Sequence, residues 1–111
     1  MSAPKKLGPS FYHRRDTSAG VNTIVAPAAN TKGIRVSFVE LYNSGATATA
    51  VLAKATTPTA YDDSGAQVIL EGLAVVSVRD DEFVIPPGIG LFDASNAVGL
   101  NFVAVSYEVI A

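Results

Sequence analysis

The stretch Gly99-Leu-Asn-Phe-Val-Ala-Val-Ser-Tyr-Glu-Val-Ile-Ala111 decides the fold. Val103, Val105, Tyr107 and Val109 recur at every second position, so they share one face of an extended strand. Asn101 is in phase with them and marks the edge of the run. The other face carries Leu100, Phe102 and Ala104, then turns polar at Ser106 and Glu108. A strand apolar on both faces at one end and on one face at the other suits the middle of a sheet. There it pairs on both sides and part of its second face is covered.

The rest of the chain supplies partners for it. Residues 21–26 read as a short strand and residues 27–33 as a turn-rich connector. In residues 34–42, Ile34, Val36 and Phe38 share one phase, while Val39 and Leu41 take the other. A regular strand cannot bury both sets on one face, so a bulge near Phe38 or burial of both faces is expected. Residues 46–54 alternate, with Ala46, Ala48 and Ala50 on one side and Thr47, Thr49 and Val51 on the other. Alanine makes helix the rival reading, but the threonines and the lack of a 3.6-residue stripe favour strand. Such a row of alanines would let a second sheet or a second subunit approach closely. A loop over 56–65 follows, then strands over 67–70 and 73–79, an acidic turn at Asp80-Asp-Glu82, and a short strand over 83–85. Pro86-Pro-Gly88 predicts a type II turn, because the second proline fixes φ and Gly88 accepts the positive φ required next. Residues 89–92 read as strand and 93–97 as the loop before the last strand. Seven or eight short strands without a helix predict an all-β, antiparallel two-sheet sandwich or small barrel over residues 21–111.

Residues 1–20 read as an extended arm, broken by Pro4, Gly8 and Pro9. The formal charge of −2 conceals an asymmetry: residues 1–15 carry Lys5, Lys6, Arg14, Arg15 and no acid, whereas residues 16–111 hold four bases and all ten acids. A basic arm therefore precedes an acidic body. The arm also spends Phe11, Tyr12 and His13, which a bare linker rarely does. Basic residues around aromatics make Lys5, Lys6, Phe11, Tyr12, Arg14 and Arg15 a candidate docking surface. Stacking of Phe11 and Tyr12 on nucleic-acid bases is a competing reading. It is disfavoured because four charges release few counterions and the body repels a polyanion.

Hydrophobic residues make up 49% of the chain and charged residues 16%. The charged share lies below the roughly 25% of an ordinary domain, which predicts a surface covered by a partner, most simply further copies of the chain. Candidate strand-face contacts are Ala46, Ala48 and Ala50, together with Leu100 and Phe102. No stretch approaches the ~20 apolar residues of a membrane span, and no apolar run follows Lys5 and Lys6 as a signal peptide would require.

Nothing encodes a reaction. The chain has no cysteine and one histidine, His13, which lies in the arm without an oxyanion motif beside a serine. Asp62-Asp-Ser-Gly65 and Asp80-Asp-Glu82 lack the alternating spacing of a calcium loop. Gly88-Ile-Gly90 follows two prolines and lacks the lysine and helix of a phosphate loop. No catalytic, cofactor-binding or metal-ligating residue is therefore assigned, and no cofactor is expected.

Four features carry a resemblance. They are the turn-rich arm, Asn22-Thr-Ile-Val25, Phe83-Val-Ile-Pro-Pro-Gly-Ile-Gly-Leu91 and Val105-Ser-Tyr-Glu-Val109. Together they resemble the small β-sandwich proteins of tailed bacteriophage virions and of related gene transfer particles: head decoration, head-fibre or head-spike, and tail accessory proteins. The Pro-Gly turn also occurs in cupins, but those need a histidine cluster that this chain lacks. The resemblance implies a jelly-roll-like sandwich that is a non-enzymatic virion component. It would be made in the host cytoplasm and assemble with itself, as a homotrimer or larger form, and with other virion proteins. The alternative is a carbohydrate- or receptor-binding module at the tip of a fibre, using the loops at 56–65 and 93–98, where Tyr61 is the one aromatic.

Overall fold

The computed structural model describes residues 10–16, 20–43, 48–72, 76–96 and 101–111; within 10–16 it describes the backbone and the side chains of Ser10 and Tyr12. Nine strands are present among these residues: β1 (Ser10–Asp16), β2 (Gly20–Val25), β3 (Ile34–Asn43), β4 (Thr49–Lys54), β5 (Gln67–Gly72), β6 (Val76–Arg79), β7 (Phe83–Ile85), β8 (Gly90–Ser95) and β9 (Asn101–Val109). A single 3-10 turn, Pro27–Ala29, lies between β2 and β3.

All pairings are antiparallel, and they form two sheets. The first has the order β1-β9-β3-β6, with β7 also on β3; the second has the order β2-β8-β4-β5. The terminal strand lies between β1 and β3, as its two-faced apolar pattern predicts. β6 and β7 pair with successive stretches of β3, Val39–Tyr42 and Ile34–Val36. They act as one strand interrupted at Asp80-Asp-Glu82. Counted so, the first strand pairs with the last, the second with the last but one, and so inward to the β4:β5 hairpin. This is the roll of a double-sheet jelly roll.

The two sheets close on a core of Ile34, Val36, Val39, Leu41, Val51, Leu91, Val103 and Val105, all fully buried. The phase change in β3 is a bulge. The β3:β9 register shifts between Val36 and Phe38, so Ser37 is the extra residue, and Val39 and Leu41 return to the face of Ile34 and Val36. The expected type II turn is also present. Gly88 has φ +83°, and the Ile89 N–H donates to the Pro86 carbonyl at 3.4 Å.

One polar residue fixes that turn to the connector. Asn30, 2% exposed, donates from Nδ2 to the carbonyls of Pro86 and Ile89, both at 2.8 Å, and accepts the Gly33 N–H at 2.7 Å. Gly90 completes the corner. A Cβ there would lie 2.8 Å from the Phe92 ring and from Pro27 Cδ, so no larger residue fits without displacing packed atoms.

Three expectations change. Residues 10–16 are not free of regular structure: they add an edge strand to the first sheet, because β9 would otherwise expose a row of backbone donors and acceptors. Residues 93–95 are strand rather than loop. Asp93 and Ser95 have turn-like composition, but both are buried on the interior side of β8. β5 also continues through Glu71 and Gly72, which read as a break.

Candidate functional site

The surface that stands apart is the open edge where β5 of one sheet faces β6 and β7 of the other. Val68 on β5, Val76 and Val78 on β6 and Val84 on β7 are each 50–53% exposed, and they are the large hydrophobic residues left exposed among the described residues. Register explains the direction they face. Val78 sits opposite exposed Glu40, and Val76 opposite Tyr42, so both lie on the outer face of the first sheet. Ser77 and Arg79 take the inner phase, opposite buried Leu41 and Val39.

Arg79 closes the gap between the sheets at this edge. Its Nη1 donates to the Ile69 carbonyl of β5 at 3.0 Å. Its Nε and Nη2 donate to the two carboxylate oxygens of Asp81 at 2.8 and 3.1 Å. The guanidinium carbon lies 4.1 Å from the centre of the Phe83 ring, within cation–π range. The hydrogen bonds from Arg79 lower the Asp81 carboxyl below its usual range, and the same contact raises Arg79.

Beside Arg79 lies a cleft of about 530 Å3, lined by Ala53, Ile69, Phe83, Ile85, Pro86 and Ile89 and also by Lys54 and Thr56. Its two cations are already matched, Arg79 by Asp81 and Lys54 by Asp63, whose nearest oxygen is 2.9 Å from Nζ. The cleft is therefore charge-balanced, with no unmatched cation among its lining residues to attract an anion.

Asp63 organises the loop over residues 55–66. It accepts the backbone N–H groups of Thr59 at 2.9 Å and Gly65 at 2.8 Å, along with the Lys54 ammonium. These bonds, that from Thr59 first, hold its carboxyl far below the usual range. The loop so fixed lays Tyr61 and Ala66 over Ala50, Leu52 and Ala94 on the outer face of the second sheet. The Tyr61 hydroxyl donates to Glu71, and burial together with that bond raises its pKa well above the ordinary phenol value.

At the opposite end the interior turns polar. Asn43, Thr49, Asp93, Ser95 and Asn101 are each no more than 2% exposed. Asn22 Nδ2 donates to Asp93 at 3.0 Å and Asn43 Nδ2 to the Gly72 carbonyl at 2.7 Å. No group of three or more histidine, cysteine or acidic side chains able to hold a metal occurs among the described residues.

The sequence-derived contact residues fall in three places. Lys5, Lys6, Ala46 and Leu100 lie outside the described residues, as do the side chains of Phe11, Arg14 and Arg15. Tyr12 is half-buried and packs against the chain's own core. Ala48 and Ala50 are 6% and 0% exposed, so the subunit itself consumes the close approach that an alanine row permits. Phe102 is half-buried and packs edge-to-face on Tyr42 with ring centres 5.7 Å apart. The valine edge was missed by sequence reading, although Val76-Ser-Val78 beside an acidic turn is the signal that marks it.

No protein-family model, curated protein or solved structure matches this chain.

Proposed function

We propose that this protein is a non-enzymatic structural subunit of a tailed-phage or phage-like particle, assembling with itself and with other proteins of the virion. The observation that carries the self-assembly part is the half-exposed Val76, Val78 and Val84 on the outer face of the first sheet, in a chain with only 16% charged residues. Burying such surface between copies yields about 25 cal/mol per Å2, enough for many weak contacts to hold an array. In this reading the exposed valines, rather than the buried Ala48 and Ala50, form the contact. The resemblance of residues 83–91 and 105–109 to virion sandwiches supports the particle assignment, and with it a virion location.

Two measurements test this. Light scattering across concentration should show a mass that rises above the monomer toward discrete assemblies. Gold-labelled antibody should decorate particles released by cells carrying the gene. A concentration-independent monomer that labels no particle would overturn the proposal. One feature favours the second reading, a carbohydrate- or receptor-binding tip: Thr56 and Gly65 of the 56–65 loop line the cleft. A glycan array discriminates the two, because only the second reading gives sugar-specific binding by the monomer.

A further inference from the structure

The edge of β6 can be matched to a single kind of partner. Natural sheets protect an edge strand with lysine, proline, a bulge or an inward charge. β5 has such a guard, since the Arg79 guanidinium occupies its Ile69 carbonyl. β6 ends in the inward charge of Arg79, but Val76-Ser77-Val78 carries no lysine, proline or bulge, and its ladder partner on the other side is β3.

We infer that β6 pairs with β6 of a second copy about a two-fold axis at Ser77, joining the first sheets of two subunits into one continuous sheet. The inference rests on the self-assembly reading above and specifies its contact. Val-Ser-Val reads the same in both directions. In an antiparallel pair centred on Ser77, Val76 of one copy faces Val78 of the other, and Ser77 faces Ser77. Directly opposed residues share a face, so the four valines form one apolar cluster on the outer surface and are buried against each other. A one-residue slip would set each outward valine against an inward position and lose the match.

Charge permits this axis. β6 and β7 are separated by Asp80-Asp-Glu82. With the axis at Ser77, the two copies of Asp80 lie six residues apart along the joined strands, about 20 Å at the rise of an extended chain. That exceeds the Debye length of about 8 Å at physiological salt, so their repulsion is screened. Centring the axis on Val84 of β7 would set the two copies of Glu82 four residues apart, about 14 Å, closer than the nearest like acids of a pair centred on Ser77. The contact spans three residue pairs, so it is weak between free subunits. It gains strength where other contacts already hold the copies close.

A thiol trap reads such a contact, and the absence of cysteine makes it clean. Ser77→Cys in the full chain should form a disulfide-linked dimer under mild oxidation, because opposed Cβ atoms lie about 5 Å apart. Val76→Cys alone should trap far less, whereas Val76→Cys mixed with Val78→Cys should trap a heterodimer. Adding Val76→Lys and Val78→Lys to Ser77→Cys should abolish trapping at moderate salt, with the circular dichroism of the fold retained. Equal trapping at Ser77→Cys and Val76→Cys would mean random collision and would overturn the inference. So would a Ser77→Cys protein that stays monomeric, or trapping that survives the lysines. If the wild type assembles and labels particles while Ser77→Cys is not trapped, self-assembly stands and the two-fold contact falls. If the wild type is monomeric at every concentration and Ser77→Cys is not trapped, both fall.

Discussion

The outer faces of the two sheets are treated differently by one chain. On the second sheet, Ala50, Leu52 and Ala94 would be a bare apolar patch, but the 55–66 loop folds back and covers them with Tyr61 and Ala66. On the first sheet, Val76, Val78 and Val84 stay about half-exposed, although the acidic run between β6 and β7 is close enough in sequence to have been a cover. The difference is that the loop covers the centre of the second sheet's outer face, leaving Val68 half-exposed at its edge, while three valines stay bare on the first sheet. An isolated exposed valine needs no explanation. Three on one broken strand, on the side of the sandwich opposite the covered face, define a surface left for contact.

The sharpest way to test the covered face is to hollow it. Leu52 is 1% exposed, between Ala50 and Ala94 and under the loop. Leu52→Ala should destabilise the fold by about 2–4 kcal/mol, toward the lower part of the core range because the loop can settle into the space. Chemical denaturation checks this. A loss below about 0.5 kcal/mol would mean that the loop does not pack there. The next largest effect is expected at Asn30, which ties the connector to the Pro86-Pro-Gly88 turn. Asn30→Ala leaves the carbonyls of Pro86 and Ile89 and the Gly33 N–H without their partner. Stranding buried backbone groups should cost about 2–3 kcal/mol, since water can reach part of the corner. Hydrogen exchange at Gly33 should accelerate with it.

These two residues show how far the sequence could be read. The sandwich, the central place of β9, the bulge in β3 and the type II turn were all legible, because each follows from a period or from a backbone restriction that one or two residues impose. Leu52 was legible as strand, but not as the floor of a loop contact, since a cover formed from 55–66 depends on long-range folding. Asn30 read only as a turn residue; its partners lie 56 and 59 positions away. Asp93 and Ser95 misled for a related reason. Their types signal a turn, and they are strand residues because the sandwich has a polar interior at that end, which periodicity of apolar residues does not register. The valine edge was written as Val76-Ser-Val78, but its exposure depends on which strands pair.

A milder change separates the loop from its anchor. Asp63 holds the loop by accepting from Thr59, Gly65 and Lys54, and its carboxyl is held well below the ordinary range. Its contribution is therefore fully present above the ordinary carboxylate pKa near 4 and is lost as pH falls through its own lower value. Between pH 7 and pH 5 hydrogen exchange in residues 59–66 should be unchanged by this group. Asp63→Asn keeps the shape but loses the charge and an acceptor for Lys54. It should raise exchange in the loop at pH 7 and lower the melting temperature modestly, leaving the core strands protected. Uniform loosening of the whole sandwich would show that the loop is not a separate cover.

The smallest expected effect falls on the uncovered face. Val78→Thr changes a half-exposed methyl to a hydroxyl, and in dilute monomer it should alter stability by less than about 0.5 kcal/mol. Its value lies in concentration. A contact formed by the native state alone stabilises it by mass action. The wild type should therefore melt at a higher temperature in concentrated than in dilute solution. Val78→Thr should flatten that dependence, because the hydroxyl keeps its hydration and resists burial against the opposing Val76. Leu52→Ala, by contrast, should lower the melting temperature at every concentration and leave its slope intact. If both variants shift melting by the same amount at all concentrations, the two faces do the same work. The bare valines would then be ordinary surface.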